Sequence, residues 1–529
     1  MPQTLRTTLR ALTACAAMCA LLLSAAGARP AAAVASENQL SIMMDDDLLV
    51  YRNDSTRDKA LRRMKSLGVD TVRVTLLWSV VAEEARSTPA RDKRFRRLGA
   101  EDPKSYPVKT WDRYDRLSRA VRTLGMQLYF NVTGPGPAYA HTKPPAKYRK
   151  DAKWWRPKPR EYYKFVQAVG TRFSGRYRDE NDGRGVIPAV NFWSLWNEPN
   201  QGGWLRPQWL GGKPASPEIY RELYLFGRRA LLSTGHGKDT IVVGETAPRS
   251  VTRRTTTSAM GVRTFTNELL CGPGSSGAGC SRFAKDGPIV ASAWAHHPYT
   301  RTLAPNVRER DPESITLANF NDLGSLLDQL SATGNIKSGM PLMSTEFGYE
   351  TQPPDPFTGV TPQQQADYLA VSELITSSNP RVAANTQFLL RDVAPLKQHK
   401  RGSRLYWSTY QSGLYTQQDR AKPAAQAYAM PFTAFPAAPK PDTGQPQTFV
   451  FGQIRFRSDL LPGQAPDTVF LQFKPADGSS DWVGFDAPLP TSRLGYFSAT
   501  VVKPGAGQVR AVWRGPQNPF VFVSFPKPI

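Results

Sequence analysis

Cysteine and histidine are scarce in this chain, with four and five copies in 529 residues. Cys15 and Cys19 lie in the first 35 residues, which leaves Cys271 and Cys280 with five scattered histidines. No metal-ligand spacing arises from that set, so no metal is expected. No Gly-rich phosphate loop follows any strand-like segment, and no cofactor is expected either. Beyond residue 35, no apolar run approaches the ~20 residues of a membrane span, so no span is expected. Acidic residues are also in short supply: 44 Asp and Glu face 68 Lys and Arg, for a formal charge of +24. The densest basic cluster, "RDKRFRR" at 91–97, comes without a nucleic-acid-binding signature. It reads as a solvated, loop-like basic surface, and no nucleic-acid partner is expected. The alternative is attraction to an anionic polysaccharide or cell-wall polymer.

What the chain does have begins at its N-terminus. Arg6 and Arg10 precede an apolar stretch from Ala11 to Ala26, followed by small-residue sites at Ala26-Gly27-Ala28 and Ala33-Val34-Ala35. That layout predicts a signal peptide over 1–35 and a secreted, extracellular product. In an oxidising compartment Cys271 and Cys280, which bracket the loop "CGPGSSGAGC", are expected to form a disulfide.

Strand-like and helix-like segments then alternate over 36–432. The strand candidates are 39–44, 70–78, 127–132, 190–196, 240–244, 289–294, 341–345 and 386–390. Most are short apolar runs rather than strict alternations, as expected for strands covered by helices. Between them, "STRDKALRRMKSLG" offers a Ser cap and a terminal Gly, and Thr361-Pro362-Gln363-Gln364 opens a helix with a capping box. Eight such units predict an α/β chain folded as a (β/α)₈ TIM barrel, with a doubly wound open sheet as the alternative. Residues 433–447 read as a Pro-rich linker. Short alternating segments over 448–529 predict a small C-terminal immunoglobulin-like β-sandwich. All candidate site residues lie upstream, so a chain ending near Phe435 is expected to keep turnover of small substrates.

On a barrel, the carboxyl ends of the strands carry the chemistry. Glu198, in "NFWSLWNEPN", follows the fourth strand, and Glu346, in "PLMSTEFGYE", follows the seventh. Two carboxylates at one mouth are what hydrolysis of a glycosidic bond requires. Arg73 shares the parity of Thr71 and Thr75, so it points into the barrel and demands a carboxylate partner, which Glu346 could supply. His297 and Tyr299 end the sixth strand beside the seventh, and Tyr299 could donate a hydrogen bond to Glu346. Asn197 could hold a sugar hydroxyl. His296 reads as structural.

These motifs resemble the large clan of retaining glycoside hydrolases built on (β/α)₈ barrels, with families five and thirty-nine (cellulase-like enzymes and β-xylosidases) nearest in flavour. The resemblance implies that Glu198 is the general acid/base and Glu346 the nucleophile. Asn197 becomes the contact to the sugar 2-hydroxyl, and Arg73, His297 and Tyr299 become supporting residues. One departure concerns strand eight, which family-five enzymes commonly end on a Trp. Here "TQFLLRD" offers Arg391 and Asp392, and Trp407 is the candidate to floor the sugar instead. The expected function is a secreted β-glycosidase acting on a carbohydrate by double displacement. The alternative is a non-catalytic carbohydrate- or wall-binding protein on the same barrel.

Overall fold

Short β-branched and aromatic runs separated by capped helices can bury both faces of a parallel sheet only if helices cover the outside. The computed structural model describes residues 38–83, 92–180, 183, 185–457, 467–515 and 521–529. The expected signal segment lies outside the described residues, as does Arg91 of the basic cluster. Eight strands form the barrel: β1 Leu40–Met44, β2 Thr71–Leu77, β3 Gln127–Thr133, β4 Phe192–Leu195, β5 Thr240–Thr246, β6 Trp294–His296, β7 Leu342–Ser344 and β8 Val382–Phe388. Each pairs with its neighbours in chain order, and β8 closes onto β1 in parallel register from Ala384–Leu40 to Phe388–Met44. The open doubly wound sheet is thereby excluded. The eighth strand starts earlier than its sequence candidate, because Val382 and Ala384 already pair with β7. The sixth shares only Trp294 with its candidate and runs on to His296.

The parity of β2 decides what lines the barrel. Val72 and Val74 pack into the large core between sheet and helices, whereas Arg73 is fully buried on the inner side. A small apolar plug of Ile42, Tyr129, Phe192, Val242, Ala295 and Met343 fills the barrel interior. The outer core holds the buried faces of helices such as Asp54–Ser66 and Val108–Thr123. Thr361 caps the helix Pro362–Ser377 with the reciprocal box its sequence predicts. The basic cluster is not a loop: Asp92 caps a short helix, Lys93–Leu98, and the ring of Phe95 is buried. Cys271 and Cys280 are disulfide-bonded, with Cα atoms 5.9 Å apart. Among the described residues, no helix is long and apolar enough to cross a membrane.

The C-terminal region contains two antiparallel sheets. One has the order β9 Phe432–Ala437, β10 Gln447–Gln453, β13 Tyr496–Val502. The other runs β12 Val483–Pro490, β11 Thr468–Pro475, β14 Gly507–Arg514, β15 Val521–Val523, with β16 Lys527–Pro528 also on β14. Their facing side chains, among them Val450, Val501, Leu471, Val509 and Trp513, share one core. The expected linker over 433–447 is therefore corrected. Residues Phe432–Ala437 pair with Gln447–Gly452 position by position, and only 438–446 remain as a connection. Pro436 is tolerated there because β9 is an edge strand.

Candidate active site

At the carboxyl end of the barrel, the backbone past β4 turns sharply. Trp196 and Glu198 both take positive φ, +75° and +37°, a conformation that costs side-chain-bearing residues of order 1–3 kcal/mol. Hydrogen bonds hold the turn. Trp196 N–H donates to the Val132 carbonyl at 2.9 Å. Asn197 N–H donates to the Thr133 hydroxyl, and Glu198 N–H to the Glu245 carbonyl, each at 2.9 Å. Gly134 is dictated by the same turn, because a Cβ there would lie 2.3 Å from the Trp196 ring. The "WNEP" run thus ends its strand by presenting Asn197 and Glu198 to the mouth, with the Trp196 ring fully buried behind them.

The sequence-predicted residues converge there. Arg73 Nη1 donates to Glu346 Oε1 at 2.8 Å, and Nη2 donates to Asn197 Oδ1 at 3.1 Å. Tyr299 donates its hydroxyl to Glu346 Oε2 at 3.2 Å. His297 Nδ1 stands 2.9 Å from Glu198 Oε1 and 3.5 Å from Glu346 Oε2. One carboxylate oxygen each from Glu198 and Glu346 and one ring nitrogen of His297 all lie within 4.8 Å of one another. Such a trio could hold a cation. Here, however, both ring nitrogens of His297 are aimed at carboxylates, so the ring offers N–H bonds rather than a free lone pair. His296 turns away: its ring pairs with the Thr246 hydroxyl and the Ile315 carbonyl, and burial pushes it down to about 3.

Sequence reasoning missed Glu245. It is the penultimate residue of β5, with φ +48° and no exposed surface. Arg73 Nη2 donates to its Oε2 at 3.1 Å, Thr345 Oγ1 at 2.8 Å, and His297 Nε2 lies 2.6 Å away. Its other oxygen accepts from the Tyr129 hydroxyl. Burial acts to raise this carboxyl, but Arg73 and His297 outweigh it and hold it well below the usual carboxylate range. For His297 burial acts downward, and the charge of Glu346 with the bonds to Glu198 and Glu245 lifts it to about 10. Also unforeseen was Asp46, just past β1. It accepts from Thr75 N–H at 3.0 Å, and burial pushes it up to about 6, with Glu346 adding to the shift.

The large aromatics take different places. Trp78 is fully buried, stacked on Phe165 at 5.1 Å, and Trp155 is buried against Tyr148. Both are packing residues. Trp407 lies in the loop after β8, where its ring meets Tyr406 edge-on at 5.1 Å. The same loop carries Tyr410, whose phenol feels the two carboxylates. Burial, then the charges of Glu198 and Glu346, raise its phenol, and its ring packs on Phe388.

No protein-family model matches the chain, and no curated protein does. Several solved structures are similar in outline. A family 39 glycoside hydrolase from Bacteroides cellulosilyticus WH2 is 15% identical, with 88% of this chain and 81% of that one covered at a TM-score of 0.45. A glucosidase from Croceicoccus marinus is 12% identical over 91% and 96%, at 0.47. A GH5_18 protein from Streptomyces cattleya, solved with GlcNAc, is 15% identical over 74% and 79%, at 0.45.

Proposed function

We propose that the chain is a secreted retaining β-glycosidase that cleaves O-glycosidic bonds of oligo- or polysaccharides. The observation that carries this reading is the closeness of Glu198 and Glu346, whose nearest oxygens lie within 4.8 Å across the barrel mouth. Retaining enzymes hold their two carboxyl groups about 5–5.5 Å apart, whereas inverting ones leave about 6.5–9.5 Å for a water. At the shorter spacing the sugar fits directly against a carboxylate.

In this reading Glu346 attacks the anomeric carbon while Glu198 protonates the leaving oxygen. A covalent glycosyl-enzyme results. Glu198 then takes a proton from water, which displaces the sugar from Glu346. Arg73 and Tyr299 hold both Glu346 oxygens, which supports its use as an ionised, oriented nucleophile. Asn197, anchored by Arg73, turns its amide toward the sugar. Export rests on the N-terminal sequence pattern.

The test is proton NMR of the first-formed product from an aryl β-glycoside panel (glucoside, xyloside, mannoside, galactoside, fucoside). Retained β-configuration is the expected result. An inverted anomer would make Glu346 a base. No turnover on any of these or on soluble polysaccharides, with binding intact, would favour the non-catalytic reading.

A further inference from the structure

The site holds more negative than positive groups. Within direct contact stand three carboxyls, Glu198, Glu245 and Glu346, against two cationic side chains, Arg73 and His297. Asp46 adds a fourth carboxyl at the rim, near Glu346. The other groups packed around His297 add no cation: His296 is neutral, and Tyr129 and Tyr299 have phenols raised well above their ordinary range, first by burial. Buried charges must be matched or neutralised by a proton. The partners are unequally shared. Glu245 takes both cations and two hydroxyl donors, and Glu346 takes Arg73 and Tyr299 with His297 Nδ1 at a longer 3.5 Å. Among the described residues the Glu198 side chain pairs with the His297 ring alone, and it is the most exposed of the three at 20%.

We propose that Glu245 is a positioning residue that fixes His297 as an imidazolium donating both N–H bonds. By absorbing one of the two cationic charges, it leaves Glu198 as the carboxyl that carries the transferable proton. The inference rests on the glycosidase reading and deepens it. Glu245 never touches the sugar: it lies beneath His297 and Arg73, fully buried, and it acts through them. It also fixes the backbone of Glu198 through its own carbonyl. Removing its charge while keeping its shape takes one negative charge out of the cluster, so the proton needed for departure of the leaving group is lost at lower pH.

The experiment compares Glu245→Gln with the full-length wild type, after circular dichroism and melting show that the variant folds. The pH profile of kcat/KM is recorded for aryl glycosides with good and poor leaving groups. The basic limb should move down by at least one pH unit. Near pH 7, the poor-leaving-group substrate should lose tenfold or more and the dinitrophenyl substrate less than threefold. An unmoved profile with equal losses on both substrates would overturn the proposal and reduce Glu245 to a structural role. If the variant does not fold, nitrogen-15 NMR of the wild-type histidines still decides. A His297 ring protonated at both nitrogens up to about pH 9 supports the assignment, and a neutral single tautomer at pH 7 overturns it. That readout needs no turnover, so it separates failure of this inference from failure of the glycosidase reading.

Discussion

Arg455, at the end of the sandwich strand β10, closes on Glu373 of the barrel helix Pro362–Ser377 at 2.7 Å, with 5% and 2% of their side chains exposed. Arg455 also donates to the Tyr428 carbonyl at 2.8 Å and to the Ser41 hydroxyl at 3.1 Å. Tyr496 of β13 donates its hydroxyl to the other Glu373 oxygen at 2.5 Å. Breaking a buried pair from one side strands the remaining charge, at a cost of about 3–5 kcal/mol. Arg455→Ala should lower the unfolding free energy by that amount in urea titration, and Arg455→Met with Glu373→Gln together by clearly less. A chain ending near Phe435 removes Arg455 and Tyr496 at once. It should melt well below the full chain.

The same pair gives a pH dependence. Burial acts to raise Glu373, but Arg455 and Tyr496 outweigh it, so its folded value lies below the ordinary 4.5. A depressed carboxyl stabilises the fold above its unfolded value, and that stability is lost as pH falls through the folded one. His297 works in the other direction. Raised from 6.5 to about 10, it stabilises fully below pH 6.5 and loses that contribution as pH climbs toward 10. Between pH 7 and 10 the wild type should therefore lose stability faster than His297→Gln. Parallel curves would show that the ring is neutral in the folded protein.

Replacing Glu346 by Ala should reduce turnover by several orders of magnitude on every substrate. Glu198→Ala should slow poor-leaving-group substrates most and spare dinitrophenyl glycosides. Added azide should then yield a glycosyl azide of retained configuration. Equal losses across leaving groups would argue against Glu198 as the proton donor.

The Cys271–Cys280 bridge closes a short Gly- and Ser-rich loop. A loop of about ten residues contributes on the order of 2–3 kcal/mol by chain entropy. Thiol titration of the denatured, unreduced protein should find no free thiol. A Cys271→Ser, Cys280→Ser double variant should fold with its urea midpoint lowered in proportion.

Much of this arrangement was legible from one rule, that carboxylates just past barrel strands face the mouth. Applied at strands four and seven, it found Glu198 and Glu346, and strand parity added Arg73. Applied at every strand it would also have found Asp46 and Glu245. Glu245 directly follows the candidate "TIVVG", where the rule was not applied, and in the structure the strand pairs on through Thr246. The β9 strand hid for a different reason. Proline-rich composition signals a connector, but an edge strand leaves one side unpaired and can absorb Pro436. Tyr410 could not be read at all, since the path of the long loop after β8 depends on tertiary packing.

Between the last barrel helix, which ends at Ala429, and the first sandwich strand, which starts at Phe432, only Met430 and Pro431 intervene. Met430 is itself buried in the sandwich core. Such a joint has no slack. The sandwich braces the barrel wall near Ser41, at the end opposite the site, and works as a buttress rather than a swinging arm. Whatever is fused to Ile529 will be carried at a fixed bearing to the barrel.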